Sequence, residues 1–263
     1  MTTTFPRLAL AAAAALWLAA CGAQRAVVPP ANADADQFLF DRGTAEFKER
    51  HWIQAREYFR QIVDNYPQSP YRPDAKLGVG DTYIGEHTTE SLLLAVNEFR
   101  EFLTFYPTSP RADYAQYRLG FAQSEQMLAP ERDQTNTREA IKELQVFVDR
   151  YPNSSLMPEA RALLRVAKDR LSEASYRVGL YYFRARWYPG AIDRFQQVLR
   201  EDPEYTQRDA VYYHLAESLL RIDRKAEALP YFERLLKEFE QSSYLEATRR
   251  RVEELKSASA PER

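Results

Sequence analysis

Five stretches of the chain share one arrangement of small, large apolar and helix-ending positions. In each stretch an alanine stands four residues before a large apolar side chain, and a proline follows eight residues later in four of the five. The alanines are Ala55, Ala95, Ala140, Ala191 and Ala228, and the large side chains are Phe59, Phe99, Leu144, Phe195 and Phe232. The prolines are Pro67, Pro107, Pro152 and Pro203, with Glu240 in the fifth copy. Because proline lacks an N–H and disfavours helix in the residue before it, the pattern predicts five helices with defined ends.

A second small residue precedes each copy and predicts a partner helix. Gly43, Gly179 and Ala216 stand twelve residues before the repeat alanine, whereas Gly78 and Gly120 stand seventeen and twenty residues before it. The additional residues fall in "GEHTTES" and "LAPERDQTNT", two polar segments that predict longer loops. The spacing resembles the tetratricopeptide repeat, in which small residues let the two helices of a hairpin approach closely. Self-similarity of this length is typical of stacked units.

The order of these repeats predicts an all-α fold, an α-solenoid of five tetratricopeptide-like helical hairpins. We expect residues 35–155 to form repeats 1–3. Residues 156–257 are expected to form repeats 4–5, with an elongated middle helix, "MPEARALLRVAKDRLSEASYRVGLYYFRA", and a capping helix, "SYLEATRRRVEELK". A polar outer face on the last helix suits the end of a solenoid. Residues 258–263 are predicted to be a disordered tail.

The amino-terminal residues resemble a bacterial lipoprotein signal. The segment "MTTTFPR" carries one basic side chain, and "LALAAAAALWLAA" is uncharged for thirteen residues, fewer than the roughly 20 needed to cross a bilayer core. The motif Leu18-Ala19-Ala20-Cys21 resembles a lipobox, which implies a signal peptide over residues 1–20 and acylation of Cys21. The alternative is an ordinary secretory signal with a chance cysteine.

Cys21 is the only cysteine of the chain, so it has no partner for an intramolecular disulfide. Two or more acyl chains anchor a protein stably without a spanning helix. Gly22 stands where an aspartate would hold a lipoprotein at the inner membrane, so outer-membrane placement on the periplasmic face is the expectation. Residues 21–34 are rich in proline and alanine and predict a flexible tether.

Charge and motif content exclude several classes of function. The formal net charge of −2 becomes −3 once the predicted signal peptide and its one arginine are removed, so the chain lacks the basic character of a nucleic-acid-binding protein. His51, His87 and His214 show no metal-ligand spacing. The segment "GVGDTYIG" has Tyr83 where a nucleotide loop needs its third glycine, and no strand pattern precedes it. The sequence therefore predicts a protein that is not an enzyme and needs no metal or cofactor.

The repeat resemblance implies a peptide-binding groove lined by the first helix of each hairpin. The implied groove residues are Phe40, Thr44 and Phe47 in repeat 1 and Tyr117 and Phe121 in repeat 3, with Tyr114 one turn earlier. The fourth repeat contributes Tyr176, Leu180 and Phe183. The five aromatic residues of repeats 1 and 3 are interpreted as a cradle for an extended peptide. The alternative is that these rings pack against neighbouring helices, as aromatic residues at helical spacing usually do.

A predicted lipobox, five such repeats and a long middle helix together resemble the BamD family of lipoproteins of the outer-membrane β-barrel assembly machine. The family resemblance implies that the amino-terminal repeats receive unfolded outer-membrane protein segments. It also implies that the carboxy-terminal repeats dock on the periplasmic POTRA domains of the barrel component BamA and on partner lipoproteins.

Arginines around repeats 4 and 5 are the predicted docking residues, because arginine is enriched at interface hot spots and pairs with carboxylates. They are Arg184, Arg186, Arg208, Arg221 and Arg224. The alternative for each arginine is that it is an ordinary solvent-exposed charge that contacts no partner protein. An alternative interpretation of the whole chain is that it is a periplasmic scaffold for cell-wall or division enzymes. No heptad region precedes residue 36, which favours the assembly lipoprotein.

Overall fold

The computed structural model describes residues 34–258, and this part of the chain contains eleven α-helices and no strand. The helices are α1 (Ala35–Lys48), α2 (Trp52–Asn65), α3 (Arg72–Glu86), α4 (Thr89–Phe105), α5 (Ala112–Ser124), α6 (Thr135–Arg150), α7 (Met157–Arg184), α8 (Tyr188–Glu201), α9 (Arg208–Arg221), α10 (Lys225–Glu238) and α11 (Leu245–Ala258). The all-α prediction is confirmed. The predicted signal peptide, Cys21 and nearly all of the predicted tether and tail lie outside the described residues.

The helices pair into five hairpins, α1–α2, α3–α4, α5–α6, α7–α8 and α9–α10, and α11 packs on α10 at the end. Each helix mainly contacts the helices next to it in the chain. Beyond these neighbours, α1 contacts α3, α3 contacts α5, α5 contacts α7 and α7 contacts α9. The first helices of successive hairpins therefore adjoin one another and line one surface, and the predicted solenoid with its capping helix is confirmed.

Close approach of the two helices in a hairpin depends on the predicted small residues. A methyl group added to Gly43 would lie 2.8 Å from the ring of Phe59, and one added to Gly179 would lie 2.5 Å from the ring of Phe195. Both separations are too short for ordinary carbon contacts. Phe59 is 4% exposed and Phe195 is fully buried, so each ring fills the space that its glycine leaves open.

The small residue of the second hairpin is Gly80, and the prediction of Gly78 was wrong. A methyl group on Gly80 would lie 2.7 Å from the ring of Phe99 in the same hairpin. One on Gly78 would lie 2.7 Å from the ring of Phe59 in the preceding hairpin. Helix α3 is packed between α2 and α4, so it needs a small residue on both faces, and spacing alone does not tell the two glycines apart.

The helices end where the proline pattern places their ends. Helices α2, α4, α6 and α8 each end two residues before a repeat proline. Helix α10 ends at the equivalent position, although Glu240 replaces the proline there. Tertiary packing of α10 is therefore sufficient to set its length.

Helix α7 has 28 residues and spans about 42 Å at 1.5 Å per residue. Its first turns complete a small cluster in which Met157 and Ala160 lie beside Phe147 of α6. Its last turns carry Tyr176 into the core of the fourth and fifth hairpins. A separate core runs from α1 to α5, through the first two hairpins and the first helix of the third. One continuous helix thus belongs to both halves of the solenoid.

Candidate binding surfaces

The predicted groove residues of the first repeat lie on α1 and are half-buried. The ring of Phe40 stacks on Tyr71 with a centroid separation of 5.1 Å and lies 5.8 Å from the ring of Phe59. The ring of Phe47 meets the edge of Trp52 at 5.1 Å. Thr44 lies between them along the helix. Both rings therefore pack on the first hairpin and keep part of their surface open to solvent.

The predicted residues of the third repeat lie on α5 and are also half-buried. The ring of Tyr117 lies 6.0 Å from Phe147 and 6.3 Å from Phe121. Among residues 34–258, no ring contact joins the aromatic residues of α1 to those of α5. The two sets are thus separate clusters that flank α3, and each ring combines a packing role with partial exposure.

Asp81 of α3 ties that helix to the aromatic cluster of α5, and its role was missed from the sequence. The Tyr114 hydroxyl donates to Asp81 Oδ2 at 2.8 Å, and Arg118 Nε donates to Asp81 Oδ1 at 2.7 Å. Burial raises the pKa of Asp81, although the Arg118 charge and the Tyr114 hydrogen bond oppose that shift. The Arg118 guanidinium lies 5.1 Å from the centre of the Phe121 ring. These contacts form a polar clamp between α3 and α5, with the phenol of Tyr114 directed at Asp81 and its ring beside Arg118.

The five predicted docking arginines fall into two groups. Arg184 ends α7 and Arg186 follows it with a left-handed backbone, φ 60°, and both are exposed. The other three have partners within the chain. Arg208 donates to the Tyr205 carbonyl at 2.9 Å, Arg221 lies 3.7 Å from a Glu217 carboxylate oxygen, and Arg224 donates to Glu227 at 2.6 Å. Arg184 and Arg186, at the turn between α7 and α8, are thus the more accessible of the predicted docking residues.

An open cleft of about 530 Å³ lies between the loop that precedes α6, helix α7 and helix α8. Four arginines and several apolar or aromatic side chains line it: Arg132, Arg138, Arg177, Arg194, Val178, Tyr181 and Tyr182. Tyr181 is 68% exposed. The lining combines the loop and first turn of α6 with residues of α7 and α8 that lie more than 30 residues later, so the cleft was missed from the sequence. We call it the arginine cleft.

The loop that forms one wall of the arginine cleft is held in place by specific contacts. Arg170 on α7 donates to the Leu128 carbonyl at 2.9 Å, and Arg177 forms an ion pair with Glu131. Within the loop, the Gln134 amide donates to the Ala129 carbonyl at 2.8 Å. The long loop predicted for the third repeat is therefore an ordered wall packed along α7.

Within residues 34–258, no three side chains of the histidine, cysteine, aspartate and glutamate types come together where a metal ion could bind. In the same part of the chain, no helix combines the length and the apolar character needed to cross a bilayer.

Comparison with known families gives two matches. A family model described as "Outer membrane lipoprotein" (YfiO) matches residues 32–221, and a tetratricopeptide-repeat model matches residues 210–242. Among solved structures, the TPR2AB domain of yeast Sti1 aligns with 85% of this chain and 83% of its own, with a TM-score of 0.49 and 13% identity.

Similar curated proteins are named "Outer membrane protein assembly factor BamD". The protein of Caulobacter vibrioides is 28% identical over 193 residues, which cover 73% of this chain and 62% of that protein. The protein of Neisseria meningitidis serogroup B is 24% identical over 235 residues, which cover 84% of this chain and 87% of that protein. The protein of Xylella fastidiosa is 26% identical over 205 residues, 70% of this chain and 68% of that protein. Because the family model matches most of the chain, this protein belongs to the YfiO family of outer membrane lipoproteins.

Proposed function

We propose that this chain is a non-catalytic lipoprotein of the outer-membrane β-barrel assembly machinery, anchored through acylated Cys21 and facing the periplasm. The match of residues 32–221 to the outer membrane lipoprotein family carries the proposal, and the name of the similar curated proteins supports it. Solenoids of helical hairpins bind other proteins along extended surfaces. Two surfaces are candidates: the aromatic rings on α1 and α5, and the arginine cleft, where the insertion of the third repeat meets α7 and α8.

The amino-terminal surface is proposed to receive unfolded outer-membrane protein segments. Strands of outer-membrane barrels alternate apolar and polar residues and carry aromatic girdles. The half-exposed rings of Phe40 and Phe47 on α1 and of Tyr117 and Phe121 on α5 offer apolar contacts on both sides of α3. Aromatic pairs contribute about 0.5–1.5 kcal/mol beyond area burial. Two or three pairs, offset by the cost of ordering a peptide, correspond to weak binding, roughly micromolar.

The carboxy-terminal surface is proposed to dock on the POTRA domains of a BamA-like barrel component and on other assembly lipoproteins. The arginine cleft and the neighbouring Arg184 and Arg186 concentrate cations beside the exposed ring of Tyr181. Arginine and tyrosine are both enriched at interface hot spots. Arginine also pairs with carboxylates in a bidentate geometry. This combination fits a protein surface that presents acidic side chains around an apolar centre.

Capture from a detergent-solubilised envelope tests the docking proposal. Variant Arg138→Glu/Arg194→Glu reverses two exposed charges of the arginine cleft, and Arg184→Glu/Arg186→Glu reverses the adjoining turn. We expect each to reduce co-purification of a barrel protein with POTRA domains at least several-fold while circular dichroism stays helical. The matched control, Arg100→Glu/Arg249→Glu, reverses two exposed arginines on α4 and α11 and should capture as the wild type does.

The possible outcomes distinguish a wrong docking site from a wrong assembly function. If all variants capture the barrel component equally, the docking surface lies elsewhere on the chain. If the wild-type chain captures no barrel component at all, the assembly function itself fails. Capture of cell-wall or division enzymes in its place would establish the scaffold alternative.

A further inference from the structure

His214 of α9 is half-buried in an aromatic cluster at the joint of the fourth and fifth hairpins. Rings from four segments have centroids between 5.3 and 6.1 Å from its imidazole. They are Tyr176 and Phe183 from α7, Phe195 from α8, Tyr213 from α9, and Tyr244 just before α11. The imidazole is thus the shared contact of the two hairpins and the start of the capping helix.

Two hydrogen-bond contacts of the imidazole involve one nitrogen, Nδ1. His214 Nδ1 lies 2.8 Å from the Ala210 carbonyl oxygen, one turn earlier on α9, and 3.1 Å from the Tyr176 hydroxyl oxygen. A carbonyl can only accept, so the hydrogen of the neutral ring is assigned to Nδ1. Placing a second proton on this ring would bring a full positive charge into an apolar cluster, which is unfavourable without an anionic partner.

Ionic groups near His214 do not supply such a partner. Helix α9 contributes Glu217, but Arg251 of α11 donates to that carboxylate at 2.6 Å. Helix α7 contributes Arg184 on one side and, near Tyr176, Glu173, which accepts from Arg177 at 2.6 Å.

Further out, Asp209 of α9 accepts a hydrogen bond from Ser242 at 2.6 Å. Arg250 of α11 lies near the adjacent Tyr213. Helix α8 contacts this cluster through the rings of Phe195 and Tyr188, and α10 contacts it through the ring of Phe232. Every carboxylate near the cluster thus already has a donor.

We infer that His214 makes the joint between the fourth and fifth hairpins acid-sensitive, so that protonation of the imidazole loosens α9 and the capping helix from α7. The direction of the pKa agrees with this geometry. Burial lowers the pKa of His214 from 6.5, and the Arg184 charge acts in the same direction, against the Ala210 hydrogen bond and Glu217. The inference concerns the stability of the joint and is independent of the proposed function.

The sign of the pH dependence follows from linkage. Above the ordinary histidine pKa, His214 is neutral in both the folded and unfolded chain and has no effect on stability. As the pH falls through 6.5, the unfolded chain binds a proton that the folded joint excludes, so stability decreases. Between pH 7.5 and pH 5.0 the unfolding equilibrium constant rises by up to about 30-fold from this one group.

The experiment compares urea unfolding of the full chain in detergent from pH 7.5 to 5.0 for the wild type and His214→Phe. We expect the acid-induced rise of the unfolding equilibrium constant to be smaller in His214→Phe than in the wild type, by up to about 30-fold. The matched control is His51→Gln, which removes an exposed histidine on the first hairpin and should follow the wild-type profile. In hydrogen exchange at pH 5.5, the wild type should open faster in α9–α11 than in α1–α4. His214→Phe should not show this difference.

Carbon-13 NMR of the histidine rings in the wild-type chain gives a second readout that does not depend on the variant folding. We expect the ring that disappears in His214→Gln to titrate at a lower pH than the ordinary histidine value of 6.5. The inference would be overturned if the unfolding free energies of the wild type and His214→Phe fell by the same amount between pH 7.5 and pH 5.0. A His214 ring that titrates at or above pH 6.5 would also overturn it, because the aromatic cluster would then accept the cation.

Discussion

Removal of the Arg251 guanidinium should loosen the capping helix because it leaves a buried carboxylate without its main partner. Glu217 on α9 is 3% exposed, and Arg251 on α11 donates to its two oxygens at 2.6 and 3.3 Å. Breaking a buried ion pair from one side costs about 3–5 kcal/mol. Arg251 is about a third exposed, and Arg221 remains 3.7 Å from Glu217. We therefore expect Arg251→Met to cost about 2–3 kcal/mol, below that range.

The double variant Glu217→Gln/Arg251→Met tests whether the orphaned charge is the cause. It removes the carboxylate charge together with its partner, so we expect it to recover to within about 1 kcal/mol of the wild type. Urea unfolding followed by circular dichroism gives the free energies. Hydrogen exchange shows whether the loss is confined to α9–α11, since repeat proteins can open at one end.

The matched control for this cycle is Arg249→Met. Arg249 pairs with Glu246 on the same helix at 2.6 Å, and both side chains are more than half exposed, so its loss should cost no more than about 0.5 kcal/mol. The reasoning is refuted if Arg251→Met costs no more than Arg249→Met. It is also refuted if the double variant is less stable than Arg251→Met alone.

Three further predictions concern the anchor, the groove and the hairpin core. Cys21→Ser should leave the precursor uncleaved and weaken membrane attachment, and mass spectrometry of an unmodified Cys21 in membrane-bound mature protein would contradict this. Phe47→Ala/Tyr117→Ala should lower affinity for an extended peptide with a terminal aromatic residue several-fold in fluorescence anisotropy. Because both rings are half-buried, the double variant should also have a lower melting temperature. If its loss of peptide binding is fully explained by the smaller fraction of folded protein, the prediction of a peptide-binding groove is wrong. Gly179→Ala should cost about 1–3 kcal/mol by overpacking against Phe195, whereas an unchanged urea midpoint would show that the ring can shift.

Local spacing predicted the five hairpins, but the longer loop predicted at "GEHTTES" in the second one was wrong, because only His87 and Thr88 lie between α3 and α4. A small residue on one helix and a large ring sixteen residues later on the next, as in Gly43 and Phe59, specify which faces meet. The same rule failed at Gly78 because α3 is packed on both sides, and each side has its own glycine. Periodicity describes one helix at a time, so it cannot say which neighbour a given face will contact.

The surfaces needed information that the repeat pattern does not hold. Asp81 was hidden in a segment that looked like a degenerate nucleotide loop, and its partners Tyr114 and Arg118 belong to the next hairpin. The arginine cleft forms because an insertion in the third repeat packs along α7, where Arg170 holds the Leu128 carbonyl. The polar composition of the insertion predicted a loop. It did not predict that the loop has one defined position, because that position depends on contacts with α7 that form only when the hairpins stack.

If the rings of α1 and α5 receive a client and the arginine cleft docks a partner, as proposed, helix α7 determines how far apart the two are held. It runs unbroken from the third hairpin into the fourth, and Arg165 and Ser172 on it bond to Asp202 at the end of α8 at 3.0 and 2.7 Å. A continuous helix held in this way provides no hinge between the two surfaces. A client segment and a docked partner would therefore be kept at a fixed separation on one body. Handing a segment onward then requires release from the groove, which the weak, roughly micromolar binding expected from a few aromatic contacts permits.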